Sequence, residues 1–366
     1  MHTILVLGGY GFFGARISAC LAQDRDLHLI VGGRDGARAS ALAGSMGLEP
    51  TQGVAIDANE PQLADQLAEL GVDTLIHTAG PFQGQDYGVA RAAIAAGANY
   101  LDLADGRDFV AGISTLDAQA KAMGVLVTSG ASSLPALSSA VVDRYRGRFQ
   151  RLDAIRMGIG SGARSPGLAT MREVFGYIGR PFVRLERGAW VRTHGWQDTR
   201  LVRFPAPVGR RLLGSCDVPD LNLFPVRYAG VQTVTFHAGF ASAAGHLVVW
   251  LASFAVRLGV LPSMVPLARP LHGLARWLEP YASDRGAMFV AMEGVAADGA
   301  HLKLVWHLLA ARNHGPYIPC GASIALARAL AAGAALPKGA MPCMGLVSLE
   351  QVLEALAGFD VTELPA

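Results

Sequence analysis

Charge is scarce in this chain of 366 residues: Asp, Glu, Lys and Arg make up 16% of it, against roughly 25% in ordinary soluble domains. That excludes long solvated acidic or basic tails. The near balance of 31 Lys and Arg against 29 Asp and Glu leaves no basic footprint for nucleic acid. Cysteine is scarce too. Cys20, Cys216, Cys320 and Cys343 stand far apart, with no C-x-x-C pair and no His at zinc-ligand spacing, so they are read as small buried residues. His194, His237 and His246 also lack metal-ligand spacing, and no metal site is expected. The apolar start carries neither a cationic leader nor an A-x-A cleavage site, so a cytoplasmic chain with reduced thiols is expected. What is plentiful is apolar residue, 51%, and enough length for two domains with sizeable cores. A small-molecule partner suits this composition.

Thr3 to Leu7 is a short apolar run of the kind found in a parallel sheet covered on both faces. Gly8-Gly9-Tyr10-Gly11-Phe12-Phe13-Gly14 follows, and Ala15 to Ala22 then reads as a helix. Glycines at a strand-to-helix turn are the setting in which G-x-G-x-x-G marks a dinucleotide site. Gly9 is expected to make the tight turn, Gly11 to admit the pyrophosphate and Gly14 to let helix and strand pack closely. The phosphates would face free amides at the helix start. The second strand, Leu27 to Val31, runs into Gly32-Gly33-Arg34-Asp35. A guanidinium just past the strand suits a 2′-phosphate, so NADP is favoured, while Asp35 keeps NAD open. Arg38 is a weaker phosphate candidate.

The alternation continues through Gly53 to Ile56 ending at Asp57, a helix over 61–70, and a strand over 73–78 ending in Ala79-Gly80-Pro81-Phe82. A helix over 87–96, a strand from Tyr100 to Leu103, a helix near 116–123 and a strand over 125–128 complete six strands. That order predicts an α/β doubly wound parallel sheet of Rossmann type. The same glycines also fit the spacing of short-chain dehydrogenases, which need Tyr-x-x-x-Lys. The residues four before Lys121, Lys303 and Lys338 are Asp117, Gly299 and Ala334, which excludes that mechanism.

These motifs, with Tyr100-Leu101-Asp102-Leu103, Asp105-Gly106 and Ser129-Gly130-Ala131-Ser132-Ser133 before Pro135, resemble the saccharopine dehydrogenase-like oxidoreductases, closely over residues 1–145. The resemblance implies a Rossmann domain, then an α+β domain with a mixed sheet, and a C-terminal helix folded back on the first domain. It also implies NADP-linked chemistry at a carbon–nitrogen bond. Domains of 1–130 and 131–324 are expected, with 325–366 returning to the first.

Because the nicotinamide carries the hydride, few side chains need to react. Asp102 and Asp105, past the fifth strand, and Tyr100 are the candidate proton-handling groups; loop-forming, capping or core roles stay open for each. Asp57, the Ala79–Phe82 segment and Ser132 join Gly8 through Gly14 and Arg34 as candidate cofactor contacts. Phe82 could cover the nicotinamide, and Ser132 or Ser133 is read as the cap of the helix that follows.

In the second half, strands are read over 152–159, 188–193, 200–204 and 231–236, with a helix from Leu168 to Tyr177. Asp298-Gly299 marks a hairpin between 288–295 and 301–308. This predicts an α+β domain with a mixed or antiparallel sheet. Residues 229–256 contain no Asp, Glu, Lys or Arg, and His246 to Val256 is nearly all apolar but too short to span a bilayer comfortably. Beyond it, Arg269, His272 and Arg276 share one helical face, while Leu267, Leu271, Leu274 and Leu278 share another, beside Trp277. Residues 246–278 therefore read either as core and dimer surface, in a homodimer, or as peripheral membrane contact. The function expected is hydride transfer to or from an imine, carbonyl or activated alkene in the interdomain cleft. Non-catalytic NADP binding, a lipid-surface role and a lipid-modifying reductase are the alternatives.

Overall fold

The computed structural model describes residues 1–162, 168–278 and 283–366. The side chains of residues 274–278 fall outside the described ones, which leaves Leu274, Arg276, Trp277 and Leu278 outside them. The chain builds two compact units, 1–137 with 317–356, and 138–316 with 357–366.

The first unit alternates strands and helices: β1 (His2–Leu7), α1 (Gly14–Leu21), β2 (Leu27–Gly33), α2 (Gly36–Ser45), β3 (Gly53–Ala55), α3 (Leu63–Glu69) and β4 (Thr74–His77). It continues with α4 (Gly88–Ala95), β5 (Asn99–Asp102), α5 (Arg107–Gly112), α6 (Asp117–Met123) and β6 (Leu126–Ser129). Ile4, Leu5, Val6 and Leu7 are all buried although their side chains alternate between faces, as expected of a strand with layers on both sides.

The second unit opens with α7 (Ser138–Arg146), β7 (Arg151–Gly160), α8 (Leu168–Tyr177), β8 (Pro181–Glu186), β9 (Ala189–His194), β10 (Arg200–Arg203) and β11 (Arg210–Ser215). Next come α9 (Asp220–Arg227), β12 (Thr233–Gly239), α10 (Ala243–Arg257), α11 (Ala268–Leu278), β13 (Gly286–Val295) and β14 (His301–Ala310). The chain then returns to the first unit for α12 (Gly321–Ala331), β15 (Gly339–Pro342) and α13 (Leu349–Ala355), and ends in the second with β16 (Val361–Leu364).

The first sheet is all parallel, in the order β15-β6-β5-β4-β1-β2-β3. This is the doubly wound order with a seventh strand that short Gly339-Ala340-Met341-Pro342 did not announce. The second sheet has nine strands, running β10-β11-β12-β7-β13-β14-β16, with β8 and β9 attached through β12. It is mixed, since β12 and β7 run parallel and the other pairs antiparallel. The hairpin at Asp298-Gly299 is present, whereas β8, β11 and β16 had no clear sequence signal. The last ten residues group with the second unit because β16 pairs with β14 there, from Ala310↔Val361 to His307↔Leu364.

The single helix expected after Ser132 is divided. Leu134 is extended at φ −133° and ψ 125°, and regular helix begins at Ser138. Ser132 instead offers its carbonyl to the Leu137 amide at 3.1 Å. In α10, His246, Val249, Ser253 and Val256 face inward, and Leu247, Val248 and Leu251 are exposed. No described helix is long and apolar enough to cross a membrane.

Candidate functional site

The glycine segment joins β1 to α1 at the C-terminal edge of the parallel sheet, between β2 and β4, where the strand order reverses. The tight turn falls on Gly8, at φ +81°, one residue before the Gly9 that the motif suggested. The Gly8 and Gly9 amides both donate to the Gly32 carbonyl at 2.9 Å, and the Gly11 amide donates to the Gly8 carbonyl at 2.8 Å. Gly14 is the most confined of the set. A Cβ there would lie 2.2 Å from the Gly8 oxygen and 2.7 Å from Thr78 Oγ1. Thr78 was not singled out from sequence. Its hydroxyl reaches the Leu7 and Gly8 carbonyls at 2.9 and 3.1 Å and ties the end of β4 to the turn.

This construction leaves the amides of Phe12, Phe13 and Gly14 without a backbone acceptor among the described residues. They stand at the start of α1, which has no side-chain cap. Uncapped amides at a helix start, backed by a turn too tight for a side chain, are what a diphosphate requires.

The neighbouring turn after β2 separates the two candidate nucleotides. Arg34 is exposed. Asp35, the carboxylate that would hold ribose hydroxyls, is the N-cap of α2 and accepts from the Arg38 amide at 3.1 Å. The Asp35 amide donates to the Tyr10 hydroxyl at 3.0 Å, and the Arg38 guanidinium lies over the Tyr10 ring, 4.5 Å from its centre. Gly33 makes room for that ring, since a Cβ at 33 would come within 2.4 Å of it. Arg38 thus stacks on Tyr10 in the turn that carries the exposed Arg34, while the Asp35 carboxylate is committed to its helix. NADP fits these residues better than NAD. Asp57, past β3, accepts from the amide and side chain of Asn59 and closes a local turn.

At the ends of β4, β5 and β6 lies a buried polar chain. His77 Nδ1 is 3.0 Å from the Tyr100 hydroxyl. Asp102 Oδ1 accepts from the Ala104 and Gly130 amides and from the Ser129 hydroxyl at 2.8–2.9 Å. Burial raises the Asp102 carboxyl to about 6 against the opposing effect of these donors and of Tyr100, and burial lowers His77 to about 4. Tyr100 is 1% exposed and Asp102 fully buried. Both therefore sit beneath the crest of the sheet: Asp102 fixes the loop after β6 to β5, and neither meets solvent. Phe82 is 4% exposed, with its ring centre 5.0 Å from that of His77 and 5.5 Å from that of Phe109, so it packs inward. Gln85 holds the Ala79–Phe82 segment by donating to the Ala79 and Pro81 carbonyls. Of the three proton-handling candidates, only Asp105 remains partly exposed. It accepts from Gln83 at 3.4 Å, and burial raises its carboxyl to about 6.

Residues 4–141 match the family described as the saccharopine dehydrogenase NADP binding domain. Over that stretch the chain carries an NADP-binding domain of the saccharopine dehydrogenase-like kind, in keeping with an oxidoreductase. Among solved structures, it resembles saccharopine dehydrogenase (L-Glu forming) from Saccharomyces cerevisiae, at a TM-score of 0.68 and 13% identity over 100% of both chains. It also resembles an amine dehydrogenase from Mycobacterium smegmatis, at a TM-score of 0.52 and 13% identity over 96% of this chain and 95% of that one. At such identity the likeness is one of fold. No curated protein sequence matches the chain.

Proposed function

We propose that this oxidoreductase exchanges a hydride between NADP and a small molecule bearing an imine, a carbonyl or an activated alkene. The observation that carries the reading is the pairing of open amides at Phe12, Phe13 and Gly14 with an exposed Arg34 whose neighbouring acid is used as a cap. NADP, when bound, supplies or accepts the hydride at its nicotinamide ring. The protein's part is orientation and proton handling. Gly8 through Gly14 seat the diphosphate, Arg34 and Arg38 hold the 2′-phosphate, and Ala79 to Pro81 lie alongside the nicotinamide half, with Phe82 beneath them. Ser132 borders the same crest of loops.

Asp105 is the residue proposed to hold a proton. It follows β5 at the carboxyl edge, neighbours Gln83 from the loop after β4, and is drawn by burial toward a range where both of its protonation states are accessible near neutrality. Asp102 holds the loop just before it by accepting from the Ala104 amide at 2.9 Å.

Calorimetric titration of NADPH and NADH into the wild type and Arg34→Asp tests the cofactor part. The variant is expected to lose about tenfold or more in NADPH affinity, with NADH little changed, because a charge-assisted forked contact is replaced by a repulsive carboxylate. Equal loss for both nucleotides would remove Arg34 from the 2′-phosphate. Turnover of NADPH with a panel of imines and carbonyls tests the chemistry, and Asp105→Asn should lower it without lowering NADPH affinity.

A further inference from the structure

The face of the second sheet that is not apolar core carries a cavity of about 340 Å³, lined entirely by residues of β7, β10, β12, β13 and β14. Strand register explains its floor. Thr235, Arg156, Ala291 and Val305 form one cross-strand row, and His237, Gly158, Phe289 and His307 form the next. Their neighbours on the opposite face, among them Val234, Met288, Val290 and Trp306, are buried core. Gly158 keeps the floor low, since a Cβ there would lie 2.5 Å from the Phe289 ring.

Charge in the cavity is one-sided. Arg156, Arg200, Arg203 and Lys303 line it together with a single carboxylate, Glu293. Glu293 is taken by Arg156 at 2.7 Å, and Arg200 is taken by Asp198 at 3.0 Å. Arg203 and Lys303 have no acidic partner among the described residues. At the buried end, the Thr235 hydroxyl has no hydrogen-bond partner among the described residues although the residue is 1% exposed. A native fold seldom leaves a buried hydroxyl unanswered without a ligand or water to meet it. His237 beside it is held by Asp198 at 3.3 Å.

We infer that this cavity binds a compact organic anion, whose carboxylate or phosphate charge is drawn by the cations Arg203 and Lys303 and whose buried end meets the Thr235 hydroxyl, while an apolar body lies on Phe289, Ala291 and Val305. The volume falls at the small end of the roughly 300–1,000 Å³ that small-molecule sites span. Thr235 sits too deep for a macromolecule to reach, and the apolar floor gives free inorganic phosphate nothing to rest on. The inference uses only residues of the second unit and does not depend on the cofactor reading.

Calorimetry on the full chain with 3-phenylpropanoate, phenyl phosphate and the neutral 3-phenylpropanamide tests it. At least one of the two anions should bind saturably, about tenfold or more tighter than the amide, and the tighter one identifies the head group. Replacing both exposed cations, as Arg203→Gln with Lys303→Gln, should weaken the anion about tenfold. Thr235→Val, which keeps the branched shape, should weaken it about fivefold. NADP titration of the same samples reads the first unit, and urea unfolding of each variant confirms that the second is folded. Absence of saturation by both anions, amide binding as tight as the acid, or an unchanged affinity in the double variant would each overturn the inference. The double variant alters only exposed side chains, so the test survives if Thr235→Val fails to fold.

Discussion

The two sheets of this molecule recognise their surroundings in opposite ways. The first is parallel and covered on both faces, so that Ile4 through Leu7 are buried without a break, and its chemistry is confined to the loops at the strand ends. The second shows alternation instead. In β14, Leu304, Trp306 and Leu308 are buried while Lys303, Val305 and His307 are at least partly open. A sheet of that kind can present side chains across a face. The binding proposed for the first unit therefore rests largely on backbone amides and on the absence of Cβ atoms, with Arg34 and Arg38 beside them, whereas that inferred for the second rests on side chains brought into rows by register. Substitutions should separate these two modes.

The largest effect is expected at Arg184, which is buried in the second unit and bonded to Glu186, Asp198 and the Ser215 hydroxyl. Although Asp198 is partly buried, its hydrogen bonds from His237 and Arg184 hold its carboxyl well below the usual range. Arg184→Met removes the cation and leaves its partners facing one another. Urea unfolding should report a loss of about 3 kcal/mol or more. A change under about 0.5 kcal/mol would show that the second sheet does not depend on its charge network.

Asp220 tests the same contrast through pH. It is fully buried, its hydroxyl partner is Ser138, and burial raises its carboxyl from 3.8 to about 7. The folded chain thus holds a proton that the unfolded chain releases between about pH 4 and pH 7, so this group's contribution to stability is present below that window and lost as pH rises through it. Asp220→Asn stays uncharged throughout. Relative to wild type, it should gain on the order of 2–3 kcal/mol between pH 4.5 and pH 7.5. Parallel stability curves for the two proteins would show that Asp220 does not titrate in that window.

In the first unit, Gly14→Val should act through backbone geometry. Its side chain would collide with the Gly8 oxygen and Thr78, and NADPH affinity should fall by about a hundredfold or more. Retention of affinity would mean that the turn is not the diphosphate seat. The smallest effect is expected at Asp35→Ala. Loss of the α2 cap should cost about 1 kcal/mol in thermal unfolding while leaving the preference for NADPH over NADH intact. A reversal of that preference would return Asp35 to the ribose.

Much of the first unit was legible because its signals are local. A glycine string between an apolar run and a helix, and an arginine two residues past the buried Gly32, need no distant partner to be interpreted. The position of the tight turn was off by one, since the choice between Gly8 and Gly9 depends on the Gly32 carbonyl, which arrives from β2. Thr78 and Gly33 were missed for the same reason: each matters only through a neighbour from another strand, Gly8 and Tyr10 respectively. Tyr100 and Asp102 were singled out as chemistry, and their depth could not be judged without knowing that His77 and Ser129 flank them.

The sequence by itself determined the parallel α/β half, its glycine turn and the guanidinium beyond β2, because contiguous hydrophobic runs and backbone permissiveness are properties of neighbours along the chain. Only the tertiary structure decided that Asp35 is spent on a helix cap, that β15 and β16 extend different sheets, and that Arg203, Thr235 and Lys303 line one cavity. Those outcomes depend on register between segments as much as 213 residues apart, and a one-residue slip would send every side chain to the other face.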